Sequence, residues 1–94
     1  MELDNHNIVS IPLSCNGSAI QAEVGFNPRK VEVVQNGGYC ATAYKGVTTQ
    51  MKIVSSGAVF GSGMVVFNGD NTVTLGADAD LNVSGAVTTL MCYK

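Results

Sequence analysis

In Asp78-Ala79-Asp80-Leu81-Asn82, oxygen-bearing side chains recur at every second position, the spacing with which a calcium loop surrounds a hard cation. The rest of such a loop is missing: its sixth position needs glycine and holds Val83, and its twelfth needs a bidentate glutamate and holds Thr89. The stretch therefore predicts a tight turn held by Asx side-chain bonds, not a metal centre. His6 is the single histidine, so a histidine-ligated metal would need three copies around a threefold axis, and an exposed histidine near a loose terminus is the simpler expectation. Cys15, Cys40 and Cys92 show no Cys-x-x-Cys spacing, and no carboxylate stands at a recognisable position to orient a thiol–histidine dyad. Their odd number and wide spacing argue against a closed disulfide framework, so the expectation is three small, largely buried thiols in a chain made in a reducing cytoplasm. These residues predict no enzyme, no cofactor and no resident metal.

Two kinds of side chain remain for partner contacts. Arg29 and Lys30 are the adjacent basic pair, placed at a strand start where charge discourages unwanted sheet pairing or meets an acidic patch on a partner. Asn68, Asp70, Asn71, Asp78 and Asp80 sit in the densest turn clusters, where loop binding would occur. Tyr39, Tyr44, Tyr93, Phe26, Phe60 and Phe67 could line a sugar groove, but with no tryptophan and several inward positions they are expected in the core. Asn16-Gly17-Ser18 and Asn82-Val83-Ser84 fit the glycosylation pattern, which means nothing for a protein assembled in a cytoplasm.

The elements that must position these groups are short strands. Gly25 to Lys45 centres on Gln35-Asn36-Gly37-Gly38, whose glycines accept positive φ, so Val31–Gln35 and Tyr39–Lys45 should pair as an antiparallel hairpin. Pro28 lies just before it, where a missing N–H does no harm. Upstream, residues 7 to 12 alternate and end at a proline suited to an edge, and Ala19–Val24 alternates Ile20, Ala22 and Val24 against Gln21 and Glu23, to pair with or lie beside the first strand. Downstream come Gln50–Val54 with Met51 and Ile53 inward, Ala58–Phe60, Met64–Phe67, Thr72–Leu75 with Val73 and Leu75 inward, and Ala86–Tyr93. No helical stripe persists, although Asp78–Val83 could make one turn. About eight short strands predict an all-β, single-domain antiparallel β-sandwich, jelly-roll-like, over residues 1–94, with 1–5 as a flexible arm.

Composition narrows the task. Charged residues are 13% of the chain against 46% apolar, which favours self-association or burial in an assembly. The formal net charge of −2 contains no run of either sign, so neither a nucleic acid nor an anionic membrane is an expected partner. Gly57–Phe67, the longest largely apolar stretch, is too short and too broken by Gly and Ser to cross a bilayer, and the first twelve residues carry Glu2 and Asp4 where a secretory signal would be basic.

Gly25, Phe26, Pro28, Val31 and Val33 make a Gly-Phe-x-Pro-x-x-Val-x-Val pattern, with Gln35-Asn36 departing from it by one position. With the Gly76–Gly85 block, Gly-x-Asp-Ala-Asp-Leu-Asn-Val-Ser-Gly, it resembles small β-sandwich structural proteins of tailed-bacteriophage virions, of capsid decoration (cement) or fibre-tip type. The likeness spans about two thirds of the chain and consists of packing and turn motifs; the ending Leu90-Met91-Cys92-Tyr93 replaces the aromatic-rich ending usual in that group. The resemblance implies a virion protein made in the host cytoplasm, a homotrimer that binds the major capsid protein between capsomers. Its alternative is a tail or fibre-tip module that grips a host glycan through Asn68–Asn71 and Gly76–Gly85, taken to lie at one end of the sandwich.

Overall fold

A computed structural model describes residues 8–94. Over these residues the chain is all-β, with nine strands in two antiparallel sheets. In order these are β1 (Ile8–Ser14), β2 (Ile20–Glu23), β3 (Lys30–Gln35), β4 (Cys40–Tyr44), β5 (Gln50–Val54), β6 (Gly57–Gly61), β7 (Val65–Phe67), β8 (Thr72–Leu75) and β9 (Val87–Tyr93). The broad sheet runs β1-β9-β3-β4-β5-β6, and the narrow one runs β2-β8-β7. The expected arm at Met1–Asn5 and His6 lie outside the described residues.

The central hairpin forms as the turn chemistry requires. The Gln35 N–H donates to Tyr39 O at 2.8 Å, the Gly38 N–H donates to Gln35 O at 2.9 Å, and Gly38 sits at φ +105°, a conformation costly for any residue with a Cβ. A three-residue loop closed at Gln35 and Tyr39 fixes the rest of the register, down to Lys30 opposite Tyr44. β9 then pairs with β3 on one side and β1 on the other, so Val33, Leu90 and Ile11 form one inward row and Val31, Cys92 and Val9 another. Pro12 lies on β1, an edge strand, where its missing donor breaks no ladder.

The core fills the space between the sheets. Val31, Val33, Leu90 and Cys92 from the broad sheet meet Val65, Val73 and Leu75 from the narrow one, with Leu81 closing one end, and these are all buried. Each fully enclosed Leu or Val contributes about 1.5–3 kcal/mol relative to exposure. Gly76 marks the tightest approach: a Cβ there would stand 2.2 Å from Gly63 O, so only glycine lets the chain pass from β8 into the following loop.

Three expectations from the sequence are corrected. β2 does not pair with β1; it pairs with β8 in the other sheet, because the Asn16-Gly17 turn carries the chain across the sandwich. β5 turns Gln50 and Lys52 inward, while Met51 and Ile53 face out, Ile53 being 39% exposed. The inward polar groups are tolerated because each meets a partner. The Gln50 amide donates to Val65 O at 2.7 Å and accepts from Val65 N–H at 3.1 Å, serving the open edge of β7 as another peptide group would. Lys52 meets two carboxylates, described below. Third, not all aromatics are core: Tyr39, Phe26 and Phe67 pack against it, whereas Tyr44 and Phe60 are exposed.

Candidate functional site

Arg29 precedes β3 and Lys30 opens it, Tyr44 closes β4 and Tyr93 closes β9, so the pairings Lys30↔Tyr44 and Lys30↔Tyr93 set a lysine between two tyrosines on the outer face of the broad sheet. The Lys30 ammonium lies 4.9 Å from the Tyr93 ring centroid and 5.7 Å from that of Tyr44. Cation–π attraction of this kind is worth about 0.5–1 kcal/mol per exposed contact. Glu32, two residues along the same face, is 3.6 Å from Lys30 Nζ and accepts a hydrogen bond from the Tyr93 hydroxyl, which raises the phenol above its ordinary pKa. Arg29 donates from Nε to Lys94 O at 2.8 Å, and the Lys45 N–H donates to Arg29 O at 2.9 Å. Lys94 Nζ lies 5.9 Å from the Phe26 ring centroid. Arg29, Lys30, Tyr44, Lys45 and Tyr93 together line a pocket of about 460 Å³. Of the five basic residues in the chain, Arg29, Lys30 and Lys45 line this pocket, Lys94 meets Arg29 through its backbone O while its ammonium faces Phe26, and Lys52 is enclosed elsewhere.

The other residues singled out from the sequence are occupied with the fold. Asn68 donates from Nδ2 to Thr72 and Thr74 hydroxyls at 3.0 and 2.9 Å, and Asp70 accepts from Thr72. Asn71 sits at φ +67°, its N–H donating to Asn27 Oδ1 at 2.7 Å and its carbonyl accepting from Val24 N–H at 2.9 Å. At the far end of β8, Asp78 accepts from the N–H groups of Asp80 and Leu81 at 2.9 and 3.1 Å, and Asn82 N–H donates back to Asp78 O, giving the expected Asx-bonded single turn. Lys52 Nζ stands 2.9 Å from Asp78 and 2.8 Å from Asp80. Burial opposes the charge on Asp78, but Lys52 and the two backbone donors outweigh it and hold the carboxyl below its ordinary range. The same two carboxylates raise the Lys52 ammonium above its usual value.

Asn68–Asn71 precedes β8 and Gly76–Gly85 follows it, so a full strand separates the two loops that the glycan-binding alternative sets at one end of the sandwich. They cannot form a single loop cluster. Among the described residues, no group of three or more His, Cys, Asp or Glu is arranged to hold a metal ion. Cys15, Cys40 and Cys92 are all free thiols, the first and last buried.

Tyr44, Lys45, Tyr93 and Lys94 were not singled out with Arg29 and Lys30. The signal for Tyr44 was present: a loop of Asn36 to Gly38 places residue 30 opposite residue 44. Tyr93 arrives through the long-range β3–β9 pairing, which no local pattern announces.

Beyond the pocket, the outer face of the broad sheet carries Pro12, Val34, Cys40, Met51, Ile53, Ala58, Phe60, Val87 and Met91 on register-matched rows. Val34, Val87 and Phe60 are 45%, 41% and 66% exposed. Comparison with protein-family models, with curated proteins and with solved structures finds no match.

Proposed function

We propose that this chain is a structural protein of a bacteriophage virion, a capsid decoration or cement protein that acts by joining shell subunits and performs no catalysis. The motif likeness supplies the phage setting. The observation that carries the mode of action is the outer face of the broad sheet, where exposed apolar residues share rows with the uncharged Ser10, Thr42 and Thr89 and where, among the described residues, the only charged strand residues are Lys30 and Glu32 at one end. Exposed apolar side chains grouped on one face, as Val34, Val87 and Phe60 are here, mark an interaction site. Bound between capsomers as a homotrimer, the protein would stabilise the shell by linkage, since it binds the assembled lattice and not the ruptured one. Many copies on one particle make a modest energy per site sufficient.

The test is to purify particles, count copies by quantitative densitometry and compare heat tolerance with and without the protein. Hundreds of copies per particle and earlier rupture of bare particles are expected, with Phe60→Glu and Val34→Lys reducing occupancy. Equal heat tolerance refutes the cementing role, and a few copies per particle move the protein to the tail.

A further inference from the structure

We propose that the pocket of Arg29, Lys30, Tyr44, Lys45 and Tyr93 binds a carboxylate-rich peptide segment of a partner protein. The chain as a whole is net negative, yet the lining of this pocket holds three basic side chains, Arg29, Lys30 and Lys45, and no carboxylate, with Glu32 standing 3.6 Å from Lys30 Nζ at its edge. Such segregation creates a local positive field that draws acidic segments to one place on an otherwise acidic molecule.

The geometry favours a peptide over the other anions. Lys30 lies over one face of each tyrosine ring, so that face is closed to a stacking sugar or nucleobase and presents an ammonium in its place. That contact and Glu32 also hold the ammonium in place before any ligand arrives, which lowers the ordering cost of binding. Arg29 spends Nε on Lys94 O, which leaves the two terminal nitrogens of its guanidinium for a carboxylate fork. The cations stand at the ends of β3, β4 and β9, three adjacent strands spread over about 10 Å. Same-face side chains of an extended peptide repeat every ~7 Å, so acidic residues two apart reach two of these cations together. The apolar sheet face begins beside the pocket and can seat the uncharged residues between or beyond them. The inference goes beyond the virion role and does not depend on it.

The experiment is an amide chemical-shift titration of the full chain with a capped peptide of alternating Glu and Ala. Shifts are expected at Arg29, Lys30, Tyr44, Lys45 and Tyr93, with binding weakened at least tenfold between 50 and 500 mM NaCl. The double variant Lys30→Gln/Lys45→Gln should stay folded, losing only the modest stability of the two Lys30 cation–π contacts, and bind at least tenfold more weakly; the Gln-for-Glu peptide should not bind. Glu32→Gln, which removes the competing carboxylate, should bind several-fold more tightly. Inorganic phosphate and a sulfated oligosaccharide are the comparison arms. Peptide shifts that fall elsewhere, unchanged affinity in the double variant, or saturation of the pocket by the oligosaccharide with no peptide binding would each overturn the proposal.

Discussion

Replacing Gln50 tests whether a side-chain amide ties the two sheets together. It is only 5% exposed, and its amide satisfies both the N–H and the carbonyl of Val65 on the open edge of β7. In Gln50→Leu both backbone groups lose their partner, at about 1–3 kcal/mol each, while the added apolar burial offsets about 1–2 kcal/mol. The expected net loss is about 2–3 kcal/mol, a large share of the ~5–15 kcal/mol typical of a domain. With a urea m value near ~1 kcal/mol/M for this size, the unfolding midpoint should fall by about 2–3 M. Gln50→Glu refines the test. Ionised, the new carboxyl still accepts from Val65 N–H but repels Val65 O; protonated, it can donate to that oxygen. Its folded pKa should therefore lie above the unfolded value of about 4.3, so the variant regains stability as pH falls and loses it as pH rises through the folded value. Unfolding followed by far-UV circular dichroism between about pH 4.5 and 7.5 would show this. A loss under about 0.5 kcal/mol in Gln50→Leu, or a flat pH profile for Gln50→Glu, would refute the role assigned to the amide.

Two further predictions follow from buried charge and buried sulfur. Asp78 ionises below its ordinary range, so the stability it contributes is present above that range and is lost as pH falls through the folded pKa. Unfolding midpoints measured from pH 6 down to pH 2 should drop most below about pH 4, and Lys52→Met should shrink that acid-dependent drop while lowering stability at neutral pH; an unchanged acid profile in Lys52→Met counts against the pair. Burial pushes the Cys92 thiol up to about 11, and Cys15 is enclosed beside Thr88, whereas Cys40 is half-buried on the outer sheet face. At pH 8 a disulfide reagent should therefore titrate Cys40 promptly in the native protein and all three thiols in urea; prompt reaction of all three in native protein would contradict the packing.

The residues that announce themselves locally are the ones the sequence reveals. Alternation exposes β1, β3 and β9, the Asn-Gly-Gly loop sets the hairpin, and Asp78 carries its own turn signal two residues ahead of Asp80. β5 departs from the expectation because period-two alternation assigns the inward face by hydrophobicity. Here Gln50 and Lys52 face inward, compensated by Val65, Asp78 and Asp80, from 15 to 28 residues away in the chain. The same distance hides the basic corner. Arg29 and Lys30 were visible as a pair, and Tyr44 was implied by the turn length, but Tyr93 and Lys94 reach them only through the β3–β9 ladder.

The mismatch between six strands and three has a consequence for β6. The narrow sheet reaches as far as β5, where Gln50 meets Val65, so β6 projects past it and is wet on both sides: inward Val59 is 40% exposed and outward Phe60 is 66% exposed. A shelf held along one side only, without a charged residue from Gly57 to Gly61, exchanges its amide hydrogens early and welcomes a tenth strand from outside. Whatever strand docks there completes a ladder that the single chain leaves half built.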